Sequence, residues 1–191
     1  AVESSIDSPR FFEIHRLAPF NPRWTEVSVI MDLMIHDLDI ILAQVKSKIS
    51  SISANGVAII SKTPDIANVR LEFENGCVAN LTSSRISMKK MRKMRIFSNE
   101  GYVSIDFLEK ESEVLSIKNS AVIDEGILFK NNENEEKKLI LKSYNKLDGN
   151  AVHAELEDFY EKIIHNSKST DIDLISASFT LDLALKIQER I

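Results

Sequence analysis

The stretch from Thr25 to Lys46, TEVSVIMDLMIHDLDIILAQVK, constrains the fold more than any other, because it is nearly all hydrocarbon yet holds four ionisable side chains in its middle. An α-helix turns about 100° per residue, which brings Asp32, His36 and Asp39 within roughly 60° of one another and directs Asp37 well away. Val27, Val29, Ile30, Met31, Leu33, Met34, Ile35, Leu38, Ile40, Ile41, Leu42 and Val45 surround the helix with apolar surface, the pattern of a buried helix rather than a one-sided surface helix. Charge inside such a helix is costly. The polar stripe therefore lines a cofactor or substrate cleft, forms a metal site, or belongs to an internally satisfied hydrogen-bond network.

Length, charge and cysteine usage narrow the class. At 191 residues the chain reads as a single domain, 1–191, long enough to bury roughly 70% of its unfolded surface in a core of its own. Cys77 is the only cysteine, so no internal disulfide framework exists, and a formal charge of −5 argues against a general nucleic-acid binder. The expected setting is cytoplasmic, with no membrane partner: Asp32 and His36 interrupt the best apolar run, and no basic-then-apolar signal segment opens the chain. The sequence starts at Ala1 without an initiator Met and enters a strand almost at once, which leads to the expectation that residues precede it.

Arg10 to Leu17 alternates as a strand, and Pro19 and Pro22 stiffen the connection from it into the helix. Beyond the helix, Ile49 to Ser61 is β-branched, and Asp65 to Glu74 and Cys77 to Ile86 flank Asn75-Gly76, a two-residue hairpin signal. Lys93 to Ser98 and Tyr102 to Leu108 flank Asn99-Glu100-Gly101, a second hairpin with Gly101 free to take positive φ. Glu113 to Lys118 and Lys138 to Tyr144 are weaker strands around a polar loop, Asn131 to Glu136. The period then changes to helical: Ala154, Leu156, Phe159, Tyr160, Ile163 and Ile164 mark one helix and Leu174 to Arg190 another, with Ser169, Thr170 or Asp171 as its cap. One long helix, a run of hairpins and two closing helices give an α+β class: an open, largely antiparallel mixed sheet with helices packed on one face.

The run Asp32-Leu-Met-Ile-His36-Asp37-Leu-Asp39, after a strand and a proline-rich connection and before a hairpin meander, resembles the C-terminal domain of the glucose–fructose oxidoreductase, inositol dehydrogenase and rhizopine-catabolism (Gfo/Idh/MocA) family. The hairpin at Asn99 to Tyr102, the segment Ala154-Glu155-Leu156-Glu157-Asp158-Phe159 and the end at Ala184 to Ile187 extend the resemblance over nearly the whole chain. It implies a glyceraldehyde-3-phosphate-dehydrogenase-like C-terminal fold and a two-domain, NAD- or NADP-dependent dehydrogenase of a sugar, with a nucleotide-linked amino sugar favoured by the Asp-x-x-Ile-His-Asp form. The nucleotide would be held mainly by an N-terminal Rossmann domain, which this chain does not contain. Its glycines, at 56, 76, 101, 126 and 149, cannot form G-x-G-x-x-G, and no Glu-Lys-Pro segment with its active-site lysine is present, so the fragment alone is expected to be inactive.

Within that resemblance, His36 is the candidate base: a histidine of ordinary pKa about 6.5 can accept a hydroxyl proton near neutral pH as hydride leaves the carbon. Asp32, one turn earlier, orients the imidazole or the reacting hydroxyl and favours the protonated ring. Asp39 is assigned a structural role first. Arg16 and Arg23 flank the start of the helix and are candidate contacts for a substrate phosphate or carboxylate, with surface or loop-bracing roles as the alternative. The basic run Met88 to Arg95, MKKMRKMR, is read chiefly as a solvated strand beginning, with phosphate contact as the alternative. No metal is expected, since His15, His153 and His165 show no ligand spacing to the helix. The open sheet face mixes residues such as Arg70, Glu72, Tyr102 and Ser104, which suits an interface, and a homo-oligomer built sheet to sheet is expected. A competing reading makes the chain a non-catalytic interaction domain in which Asp32 and His36 are a buried structural pair.

Overall fold

The computed structural model describes residues 8–22, 25–119, 126–130, 134–144, 151–165 and 174–191. Strand β1 (Phe11–Leu17) leads into a π-helical turn, Ile30–Met34, which continues without a break as α1 (Ile35–Gln44). Seven strands follow β2 (Ile49–Val57): β3 (Ile66–Phe73), β4 (Val78–Ser84), β5 (Met91–Ser98), β6 (Gly101–Asp106), β7 (Glu111–Asn119), β8 (Ile127–Lys130) and β9 (Glu136–Tyr144). Helices α2 (Ala151–Ile164) and α3 (Leu174–Gln188) close the chain. All nine strands form one sheet in the order β2-β3-β4-β1-β5-β6-β7-β9-β8. Every neighbouring pair is antiparallel except β1 and β4.

Period-2 alternation settles which face is covered. Phe12 and Ile14 on β1, Val69, Leu71 and Phe73 on β3, Ala79 and Leu81 on β4, Met94 and Ile96 on β5, and Val103 on β6 are buried in a shared core with Val29, Ile30, Met34, Leu38 and Ile41 of the helix and Leu183, Ala184 and Ile187 of α3. The opposite face carries the alternate positions, including Glu13, Arg70, Arg95 and Tyr102, with Phe97 stacked between Phe11 and Tyr102 at centroid distances of 5.9 and 4.9 Å. Both hairpin signals are turns here. Gly76 has φ 80°, and a side chain at Gly101 would place its Cβ 2.0 Å from the Leu115 carbonyl, so the approach of β7 admits only glycine.

The sequence reading and the structure differ in three places, and part of the reading falls outside the described residues. The helix starts at Val29 rather than Thr25, because Pro22 and the turn at 25–27 occupy the first residues of the apolar stretch. Strand β8 falls between two short polar stretches and is only four residues long, too short to carry an alternation signal. The expected cap residues Ser169, Thr170 and Asp171, and residues 131–133 of the polar loop, lie outside the described residues. Helix α2 presents its apolar row to solvent among the described residues, with Leu156, Phe159, Tyr160 and Ile163 each about 60% exposed, whereas α3 packs against α1.

Candidate active site

The helix is positioned by polar anchors at its N-terminal end. The Val29 N–H donates to the Pro64 carbonyl at 3.3 Å, and Ser28 Oγ donates to Gln188 Oε1 of α3 at 2.6 Å. Buried Arg85 sends Nη2 to the carbonyls of Val27 and Pro64 at 2.6 and 3.0 Å and faces Asp65 Oδ1 from Nε at 3.6 Å. Asp65 Oδ2 accepts the backbone N–H groups of Ile59, Ile60 and Ser61 at 2.8, 2.7 and 2.9 Å. Burial pushes the Asp65 carboxyl up, but the nearby Ser61 hydroxyl and these backbone donors outweigh it and hold the group well below the usual carboxylate range. Sequence reading missed this Asp65–Arg85 brace. Its only local sign was an acidic residue directly after Pro64.

The π-turn, closed by the Ile35 N–H on the Ile30 carbonyl, takes more residues per revolution than an α-turn and sets Asp32 and His36 more nearly above one another than ideal α geometry would. Both side chains point away from the core: Asp32 is half-buried and His36 exposed. No hydrogen bond joins them, and neither has a side-chain partner among the described residues. Asp32 lines a cleft of about 460 Å³ with Leu33, the Ala18–Pro22 connection, Arg85 and Lys90. His36 stands one turn further along the same helix. Leu42, six residues on and about 120° around the helix from His36, lines the groove shared with α3.

Asp37 turns into the core, as the helical wheel required, and there it meets Arg16. Arg16 Nε and Nη2 donate to Asp37 Oδ2 and Oδ1 at 2.7 and 2.6 Å, a two-pronged pair with both residues buried. The Arg16 fork is thus engaged by the protein itself, bracing β1 to α1, and a bracing role accounts for its position. Arg23 lies outside the described residues. Asp39 accepts from Thr180 Oγ1 at 3.0 Å and so ties α1 to α3. Lys90, from the basic run, lines the cleft with Asp32. Arg92, from the same run, is half-buried on the helix-covered face of β5 and lies over the Phe107 ring at 5.2 Å. The described residues hold no group of three metal-ligating side chains and no helix long and apolar enough to cross a membrane.

Comparison with known proteins agrees with this geometry. Residues 2–104, which contain the whole of the π-turn and α1, match the model of the GFO/IDH/MocA C-terminal domain. A UDP-N-acetylglucosamine 3-dehydrogenase of Acidithiobacillus ferrooxidans is 43% identical over 106 residues, 56% of this chain and 34% of that protein. The crystal structure of the A. ferrooxidans UDP-N-acetylglucosamine 3-dehydrogenase GnnA superposes with a TM-score of 0.82 at 30% identity, over 99% of this chain and 55% of that one. A levoglucosan dehydrogenase solved with NADH shares the fold at a TM-score of 0.73 and 14% identity, over 98% of this chain and 57% of that one. The chain therefore spans from a third to just over half the length of these relatives. With the Asp32–His36 turn lying inside the matched residues, and nearly the whole chain superposing on the solved relatives, the chain belongs to the Gfo/Idh/MocA family as its C-terminal domain.

Proposed function

We propose that this chain is the substrate-binding and oligomerisation domain of an NAD- or NADP-dependent dehydrogenase that oxidises a secondary hydroxyl of a nucleotide-linked amino sugar. The observation that carries the reading is the 43% identity to a UDP-N-acetylglucosamine 3-dehydrogenase, together with an Asp32–His36 pair that faces away from the core. A carboxylate and an imidazole one turn apart, with no partners of their own among the described residues, are placed to receive a hydroxyl proton. Removing that proton makes the neighbouring C–H bond a better hydride donor. His36 takes the proton and Asp32 steadies the imidazolium that results.

The dinucleotide itself does not fit this chain. Among the described residues the only parallel strand pair, β1 and β4, sits in an otherwise antiparallel sheet, and no glycine-rich turn follows either strand. NAD or NADP would be bound by another domain, and no residue here is assigned to it. The same likeness of fold extends to the Gal80p super-repressor of Saccharomyces cerevisiae, at a TM-score of 0.71 and 12% identity, so fold alone does not separate the enzyme from an interaction domain. Activity of the intact protein does. His36→Ala and Asp32→Ala should each lower turnover of a UDP-linked amino sugar by about 10² to 10⁴, the range for loss of a proton-transfer group, with nucleotide affinity unchanged. Full turnover in both variants would return the chain to the interaction reading.

The expected oligomer belongs to the same proposal. The open sheet face offers an aromatic cluster, Phe11, Phe97 and Tyr102, rimmed by the Arg95–Glu13 and Arg70–Glu72 ion pairs at 3.2 and 3.0 Å. An apolar centre with a charged rim suits a two-fold contact between identical sheets.

A further inference from the structure

One cross-strand row on the helix-covered face carries Ser83, Arg16, Arg92 and Phe107. Arg16 stands opposite Ser83 on β4 and Arg92 on β5, and the Phe107 N–H, just past β6, donates to the Arg92 carbonyl at 2.9 Å. Asp37 descends onto this row from α1 and gives both carboxylate oxygens to Arg16. Two guanidinium groups thus share one carboxylate, which leaves the row with an excess positive charge. Arg92 bears the imbalance. Its Nε is buried without an acceptor among the described residues, as is the Ser83 hydroxyl, and its guanidinium carbon lies 5.2 Å from the Phe107 ring centroid. Burial and the Arg16 charge both push the Arg92 pKa down, with Asp37 opposing them. A buried donor in an electropositive surround gains most from an anionic acceptor.

The position of this row decides what kind of anion it meets. Asp37, which pairs with Arg16 directly opposite Arg92, adjoins His36 in sequence. Lys90, two residues before Arg92, lines the cleft that contains Asp32. An anion on Arg92 is therefore within the span of one ligand whose reacting carbon is at His36. The planar guanidinium fork matches phosphate oxygens. We infer that Arg92 binds a phosphate of the sugar-linked diphosphate and is a specificity-determining contact for nucleotide-linked over free sugars. This rests on the nucleotide-sugar reading above.

The test is equilibrium titration of the full-length protein with UDP, inorganic pyrophosphate and N-acetylglucosamine, comparing wild type with Arg92→Gln, Arg92→Lys and Lys118→Gln. Lys118 is an exposed cation on β7, paired with Glu100 at 3.4 Å. Arg92→Gln should weaken UDP and pyrophosphate about 10- to 100-fold, the usual effect of losing a charge-assisted hydrogen bond, and leave N-acetylglucosamine unchanged. Arg92→Lys, which keeps the charge but not the fork, should fall between and carries the test if the glutamine variant does not fold. Lys118→Gln should match wild type. Equal UDP affinity in wild type and both Arg92 variants overturns the inference and leaves the nucleotide-sugar reading standing. Loss of UDP binding with pyrophosphate unchanged also overturns it, since the contact would not be to phosphate. Wild-type protein that binds an uncharged sugar but no UDP overturns both.

Discussion

Replacing Asp37 by alanine should destabilise the chain more than any change at the exposed polar positions of the same helix. Asp37 is 1% exposed and Arg16 8%, and the two bonds between them are 2.6 and 2.7 Å long. Removing the carboxylate leaves a guanidinium buried beside a second one, Arg92, with no counter-charge, and breaking a buried pair in this way costs about 3–5 kcal/mol. At roughly 2–4 °C per kcal/mol for a chain of this size, the unfolding midpoint should drop by about 6–20 °C. Arg16→Met should fall in the same range, because it strands the carboxylate instead. The double variant Arg16→Met/Asp37→Leu removes both charges and fills the space with hydrocarbon, so it should recover most of the loss. The assay is urea denaturation, followed by circular dichroism, of wild type, Asp37→Ala, Asp37→Leu, Arg16→Met and the double variant, with Asp37→Leu as the single that closes the double-mutant cycle. His36→Ala, at an exposed site on the same helix, is the control and should stay within about 0.5 kcal/mol of wild type. If Asp37→Ala loses less than about 1 kcal/mol, or if the single losses simply add in the double variant, the pair does not brace the helix and the argument fails.

Two further outcomes follow from the same structure. The Asp65 carboxyl is held below its ordinary range in the folded state, so its contribution is full above the unfolded value of 3.8 and is lost as pH falls through the lower folded value. Asp65→Asn should accordingly be less stable than wild type at pH 7, with the gap narrowing below about pH 4 in pH-dependent urea melts; a gap independent of pH would refute this. Light scattering of the 191-residue chain at micromolar concentration should return at least a dimer mass, and Phe97→Glu on the open sheet face should convert it to monomer. A wild-type monomer would remove the sheet-to-sheet interface.

The sequence by itself determined the local elements and the candidate pair. Alternation in β3 to β6, Asn75-Gly76, and the periodicity of α1 and α3 are local signals, each decided by residues within a turn or two of one another. Asp32 and His36 were legible for the same reason: carboxylate and imidazole four residues apart share a face whatever surrounds the helix. Tertiary structure decided what depends on long-range register. Nothing local indicates that β1 inserts between β4 and β5 to make the one parallel pair, yet that insertion sets Arg16 beneath Asp37 and beside Arg92. Arg16, read from the sequence as either a substrate contact or a brace, lies against a carboxylate 21 residues away. Arg92, read as part of a solvated basic run, acquires a buried nitrogen and an aromatic floor. A charged side chain's role is set by which opposite charge reaches it first, and here that was fixed by strand order, to which no single segment of the sequence contains the answer.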